Sequence, residues 1–125
     1  MSEQRIAIIG LGRVGTAFLS ALLAADEGGT KLVAVSEIKD TPGRQMAQAQ
    51  GILLLSIEEI VALGEYVDVL FDLTGDAVVR RTVRDQLQKS GNTHTVLASE
   101  AILRVIWSMI GAPPLPATTG RYEGY

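Results

Sequence analysis

Gly10, Gly12 and Gly15, in the run GLGRVG, are the residues whose types and spacing first suggest chemistry. They follow the apolar run IAII and precede a stretch with helical spacing of apolar residues, the context that a diphosphate-binding turn requires. Gly10 permits the tight turn, Gly12 lets the backbone approach a diphosphate, and Gly15 lets the next helix pack closely on the sheet. Leu11, Arg13 and Val14 complete the loop, and the free N–H groups at the helix start, with the positive end of its dipole, would face the anion. Glu37 lies 22 residues beyond Gly15, at the end of a second apolar run. That is close to the spacing of about 20 expected for an acid that accepts hydrogen bonds from the hydroxyls of an adenosine ribose. The pattern points to a dinucleotide. A carboxylate there repels a 2′-phosphate, which favours NAD(H) over NADP(H), while Arg13, Lys39 and Arg44 leave a basic pocket for that phosphate as the alternative.

The remaining polar residues carry less. His94 is the only histidine, and at the start of a strand, on the edge opposite the ligand side, it suits a structural or solvent role rather than general base catalysis. Asp72, inside an apolar strand, is expected to accept loop N–H bonds at the strand end. No His, Asp and Glu grouping has metal-ligand spacing, and the absence of cysteine removes thiolate ligands, a thiol nucleophile and a disulfide framework. Arg80, Arg81, Arg84 and Lys89 are expected on a solvated helix face. With no interleaved aromatic residues and an acidic chain, they do not read as a nucleic-acid surface.

The elements that must position these residues follow a βαβ rhythm. Strands are expected at 5–10, 31–36, 52–55, 67–73 and 94–98. Helices are expected after Gly12 with an apolar face at Val14, Phe18, Leu22 and Ala25, from Pro42 to Gln50, from Ile57 to about Leu63, after Asp76, and over 101–110. Ser56 with Glu59 three residues on forms a capping pattern, and Asp76 is an N-cap for a helix whose apolar face is Val79, Val83 and Leu87. Five strands alternating with helices imply an α/β doubly wound parallel sheet, three-layer αβα, in the order 3-2-1-4-5.

With these residues placed, the chain resembles the nucleotide-binding Rossmann domain of the glucose-fructose oxidoreductase and inositol dehydrogenase family, and also homoserine dehydrogenase and dihydrodipicolinate reductase. The resemblance spans Ile6 to about Glu100. It rests on IAIIGLGRVG, on LVAVSE ending at Glu37, on the stretch from Gly43 to Gly51, and on VDVLFDLTG. It implies that Thr74 and Gly75 form the turn passing near the nicotinamide half of the cofactor. The Glu-Lys-Pro signature of the sugar-oxidising enzymes is not kept: HTVLASEA retains Glu100 without the lysine and proline, so no catalytic role carries over. The resemblance also implies a second, substrate-binding domain, which these residues do not include.

The whole chain has 125 residues, with 11 Lys and Arg against 14 Asp and Glu, a net charge of -3. That length suits one core, since a chain of this size buries roughly two thirds of its unfolded surface. With 47% hydrophobic residues it is not a disordered chain. Residues 1–110 read as the dinucleotide-binding domain and 111–125, with three prolines and three glycines, as a linker or tail. No apolar run approaches the roughly 18 to 20 residues of a membrane span, and the start lacks the pattern of a secretory signal, so the expectation is a cytoplasmic protein. The helix over Ile102 to Ile110 is apolar nearly all round, broken only by Arg104 and Ser108, which predicts contact with a second copy or a partner domain. Two functions follow: a cofactor-binding, redox-sensing module, or the cofactor half of an oxidoreductase.

Overall fold

The computed structural model describes residues 3–25, 28–110 and 114–116. β1 (Gln4–Ile9) runs into the glycine loop and α1 (Arg13–Ala24). β2 (Thr30–Ser36), α2 (Pro42–Ala49), α3 (Ile57–Ala62), a 3-10 turn at Gly64–Tyr66, β3 (Val69–Asp72), α4 (Ala77–Lys89), β4 (Val96–Ser99) and α5 (Glu100–Met109) follow. Among the described residues the four strands are all parallel, in the order β2-β1-β3-β4.

The alternation of side chains along β1 divides the core into two layers. Ile6 and Ile8 face α1, α2 and α5, packing with Val14, Phe18, Leu19, Ala47 and Leu103. Ala7 and Ile9 face the other way, onto Ile60 and Val61 of α3 and Val83 and Leu87 of α4. Phe18 meets Phe71 of β3 edge to face, with ring centroids 4.8 Å apart. The result is a sheet covered on both faces, an αβα arrangement of the Rossmann type.

The expected fifth strand is not formed. Residues 52–55 contribute one isolated parallel bridge, Leu54 to Val35, in which the Val35 N–H donates to Leu53 and the Leu55 N–H to Val35, both at 2.9 Å. The expected order 3-2-1-4-5 therefore reduces to four strands, with this bridge on the free side of β2. The physical reason lies at both ends of the run. Gly51, at φ +71°, closes α2, and Ser56 caps α3, so only one ladder repeat fits between them. Leu53 is left 53% exposed.

The last strand is also shifted, to 96–99 from the expected 94–98, because the Asn92 side chain accepts the N–H groups of His94 and Thr95 and holds them in a turn. Below the strands, at the end away from the glycine loop, Asp68 ties three elements together. It accepts the Arg5 N–H at 2.7 Å, the Arg5 Nε at 3.3 Å, and pairs with His94 Nε2 at 2.7 Å. The Arg5 guanidinium lies over the Tyr66 ring at 4.6 Å. His94 thus has a structural place in the sheet's base. Of the expected tail, Leu115 packs on the α1 side of the core and Arg104 donates to the Pro116 carbonyl at 2.8 Å; residues 111–113 and 117–125 lie outside the described residues.

Candidate functional site

Strand register gathers the site. Ile9 pairs with Ser36 on one side and Asp72 on the other, and Asp72 pairs with Ser99. The residues that follow, Gly10, Glu37, Leu73 and Glu100, therefore leave the sheet along one edge, where open parallel sheets bind ligands.

Gly10 sits at φ +99°, and a Cβ there would lie 2.9 Å from Thr74 Cγ2 and 3.0 Å from the Thr74 nitrogen. Both the backbone angle and the close approach of the β3 loop require glycine. A Cβ on Gly15 would collide with the Gly10 carbonyl, so α1 rests directly on the end of β1. Gly12 is the N-cap of α1 and provides no side-chain cap. The amides of the first turn, which have no partner inside the helix, are thereby left to the loop's concavity. Leu11 and Val14 turn their side chains into the core, 0% and 4% exposed, while Arg13 is exposed.

Glu37 is buried, 3% exposed, and reaches under this loop. Its Oε1 accepts the Leu11 N–H at 2.6 Å and its Oε2 the Lys39 N–H at 3.1 Å. Arg44 Nη1 donates to the Glu37 carbonyl. A cavity of about 270 Å³ opens beside Glu37, bordered by Ile38, Arg44 and Ser56. A second, of about 330 Å³, lies against Gly12, Arg13 and Thr41, with Pro116 on its rim. Thr74 is buried at the end of β3; its hydroxyl donates to Asp72 Oδ1 at 2.7 Å and accepts the Asp76 N–H at 3.0 Å. Gly75 follows at φ +69°, and Asp76 caps α4.

A model of the NAD-binding domain of homoserine dehydrogenase matches residues 10–108. The chain belongs to that family. Eight solved chains also match it. One is the homoserine dehydrogenase of S. aureus, crystallised at pH 8.5, which is 17% identical with a TM-score of 0.46 over 81% of this chain and 33% of that one. This NAD-binding domain thus spans about a third of the length of that enzyme. No curated protein sequence matches it.

The residues singled out in the sequence are brought together: the glycine loop, Glu37, Thr74 and Gly75 share one edge of the domain. Two features escaped that reading. Gly43, at the start of α2, has no room for a Cβ, which would press on Thr16 Oγ1 and lie 3.0 Å from Leu11 Cβ, so α2 packs onto the glycine loop as tightly as α1 does. A glycine directly after the helix-opening Pro42 was the available signal. Arg80, expected to face solvent, instead turns its Nε to within 3.7 Å of Asp72 Oδ2. Positions 80, 83, 84 and 87 form one helical stripe, so Arg80 shares the side of Val83 and Leu87, both buried. Among the described residues, no three His, Asp or Glu side chains are grouped to hold a metal ion. No helix among them is long and apolar enough to cross a membrane.

Proposed function

We propose that this domain binds NAD(H) along the carboxyl edge of its sheet, with the diphosphate over Gly10, Leu11, Gly12, Arg13, Val14 and Gly15. The adenosine ribose lies at Glu37, its base towards the adjoining cavity, and the nicotinamide half lies towards Thr74 and Gly75. The observation that carries this reading is the contact of Glu37 with the Leu11 N–H: it couples the ribose-binding acid to the diphosphate loop within one hydrogen bond. Each Glu37 oxygen keeps a lone pair for a ribose hydroxyl after bonding its backbone N–H. The residues fit the group.

The preference for NAD(H) rests on charge, since a 2′-phosphate would sit against a buried carboxylate. Arg44, held on the Glu37 carbonyl beside the same cavity, supports NADP(H) as the second reading. The domain acts, on this proposal, as a cofactor-binding and redox-sensing module; the alternative is the cofactor half of an oxidoreductase whose substrate-binding part lies outside these residues. The exposed apolar side of α5 would carry the contact with a second copy or that other part.

Calorimetric titration with NAD+, NADH, NADP+ and NADPH tests the proposal. The expected order is NAD(H) tighter than NADP(H), with binding lost in Gly12→Val while the circular dichroism spectrum is kept. Equal, weak responses to all four nucleotides would overturn it.

A further inference from the structure

Asp72 ends β3 with its side chain 1% exposed, and its two oxygens serve different partners. Oδ1 accepts the Thr74 N–H at 3.1 Å and the Thr74 hydroxyl at 2.7 Å. Oδ2 makes no hydrogen bond among the described residues and faces the equally buried Nε of Arg80, 3.7 Å away in an ion pair. A carboxylate this deep is costly unless a counter-charge lies beside it, and Arg80 supplies that charge. The pair closes a circuit. The Thr74 hydroxyl accepts the Asp76 N–H at 3.0 Å, the Asp76 carbonyl accepts the Arg80 N–H at 3.0 Å in the first turn of α4, and the Arg80 side chain returns to Asp72. Strand end, turn and helix start are thereby tied together, with Gly75, at φ +69°, inside the circuit. Because the Thr74 hydroxyl both donates and accepts, its side-chain rotation is fixed, and Cγ2 is held against Gly10, where a Cβ would lie 2.9 Å from it.

We propose that Arg80 is a positioning residue for the dinucleotide: by compensating and holding the Asp72 carboxylate, it fixes the turn at Thr74 and Gly75 that meets the nicotinamide half. This role rests on the dinucleotide reading given above. Arg80 acts through Asp72 and Thr74. Binding constellations work only within about 0.5 Å of their productive geometry, so a support that lets the turn shift is read as lost affinity for the half of the ligand that the turn meets. The adenosine half is held elsewhere. Glu37 and its bond to the Leu11 N–H follow β2, which pairs with β1 on the side opposite β3, so the circuit takes no part in that contact. A guanidinium that served only the stability of α4 would, when removed, weaken both halves of the ligand alike.

Calorimetric titration of the full chain with NAD+ and with ADP-ribose tests the role. ADP-ribose carries the adenosine and the diphosphate without the nicotinamide, so the ratio of the two affinities reads the turn alone. Arg80→Met is expected to weaken NAD+ about tenfold and ADP-ribose by less than about twofold. Arg80→Gln, which fills similar space with an uncharged amide, should shift the ratio in the same direction and keeps the measurement available should the methionine variant not fold. Arg80→Lys retains the charge and should restore most of the ratio, since the pair is a single long contact rather than a bidentate fork. In the free protein, amide exchange at Thr74 should quicken in Arg80→Gln and return towards the parent rate in Arg80→Lys. The role is overturned if NAD+ and ADP-ribose weaken together, if the ratio does not move, or if the lysine variant fails to restore it. A parent chain that binds neither ligand overturns the dinucleotide reading itself, and the role with it.

Discussion

At the residue scale, the site depends on atoms that are missing and on one carboxylate. Gly15 has no Cβ because the Gly10 carbonyl occupies that position, so Gly15→Ala must push α1 off the end of β1. We expect it to cost about 2 to 3 kcal/mol, the range of overpacked cores, and to be read as a lower urea midpoint with unchanged slope. Glu37 bonds the loop backbone and, on the proposed reading, also meets the ribose; its substitutions separate the two. Glu37→Ala leaves the Leu11 N–H buried without an acceptor and should destabilise by about 1 to 3 kcal/mol. Glu37→Gln keeps an oxygen for that N–H and removes the charge, so stability should hold better while the affinity ratio of NADPH to NADH rises about tenfold. Four-nucleotide calorimetry on the two variants checks both statements. The glycine spacing and the distance to Glu37 were legible in the sequence because chemistry fixes the residue type at each position. The burial of Glu37 under the loop was not, since a spacing gives a position along the chain but no side-chain direction.

At the element scale, the short helices hold where their ends are satisfied. Ser56 and Glu59 bond reciprocally across the start of α3, at 3.0 Å and 2.8 Å, the capping box that the sequence pattern announces. Ser56→Ala should cost about 1 kcal/mol and loosen the bridge at Leu54 next to it, measured by thermal unfolding and by amide exchange at Leu55. Capping was readable because its partners are three residues apart; the failure of residues 52–55 to form a strand was not, since it depends on constraints from both neighbours at once. The base of the sheet carries a pH dependence. The Arg5 N–H first, then the His94 ring and the Arg5 side chain, hold the Asp68 carboxyl well below the usual carboxylate range. A carboxyl depressed in the folded state stabilises fully above its unfolded value, near 4, and loses that stabilisation as pH falls towards the folded value. Urea midpoints measured from about pH 6 down to about pH 2 should therefore decline more steeply in the parent than in Asp68→Asn, whose stability should be lower at about pH 6 and closer to the parent in acid. Parallel slopes would remove Asp68 from that role.

At the scale of the whole molecule, the layering followed from alternation alone: Ile6 and Ile8 against Ala7 and Ile9 send one set of helices to each face. What alternation cannot show is where the sheet stops. Among the described residues, β4 has a neighbour on one side only, and α5, which follows it, buries Leu103 while Ile102, Val105, Ile106, Met109 and Ile110 stay between 43% and 77% exposed. Val96 of the same edge strand is 59% exposed. Exposed apolar side chains are thus numerous along β4 and α5, more than the single scattered residues usual on a monomer surface, while Ile38, Leu53 and Val78 are exposed elsewhere. If a second copy covers this face, sedimentation equilibrium should show concentration-dependent association. Ile106→Lys, at an exposed position outside the glycine loop, should weaken it at least about tenfold without changing NAD+ affinity. An ideal monomer across the accessible range would instead assign the face to another part of a longer polypeptide, and joining the domain to such a part should then protect the α5 amides from exchange.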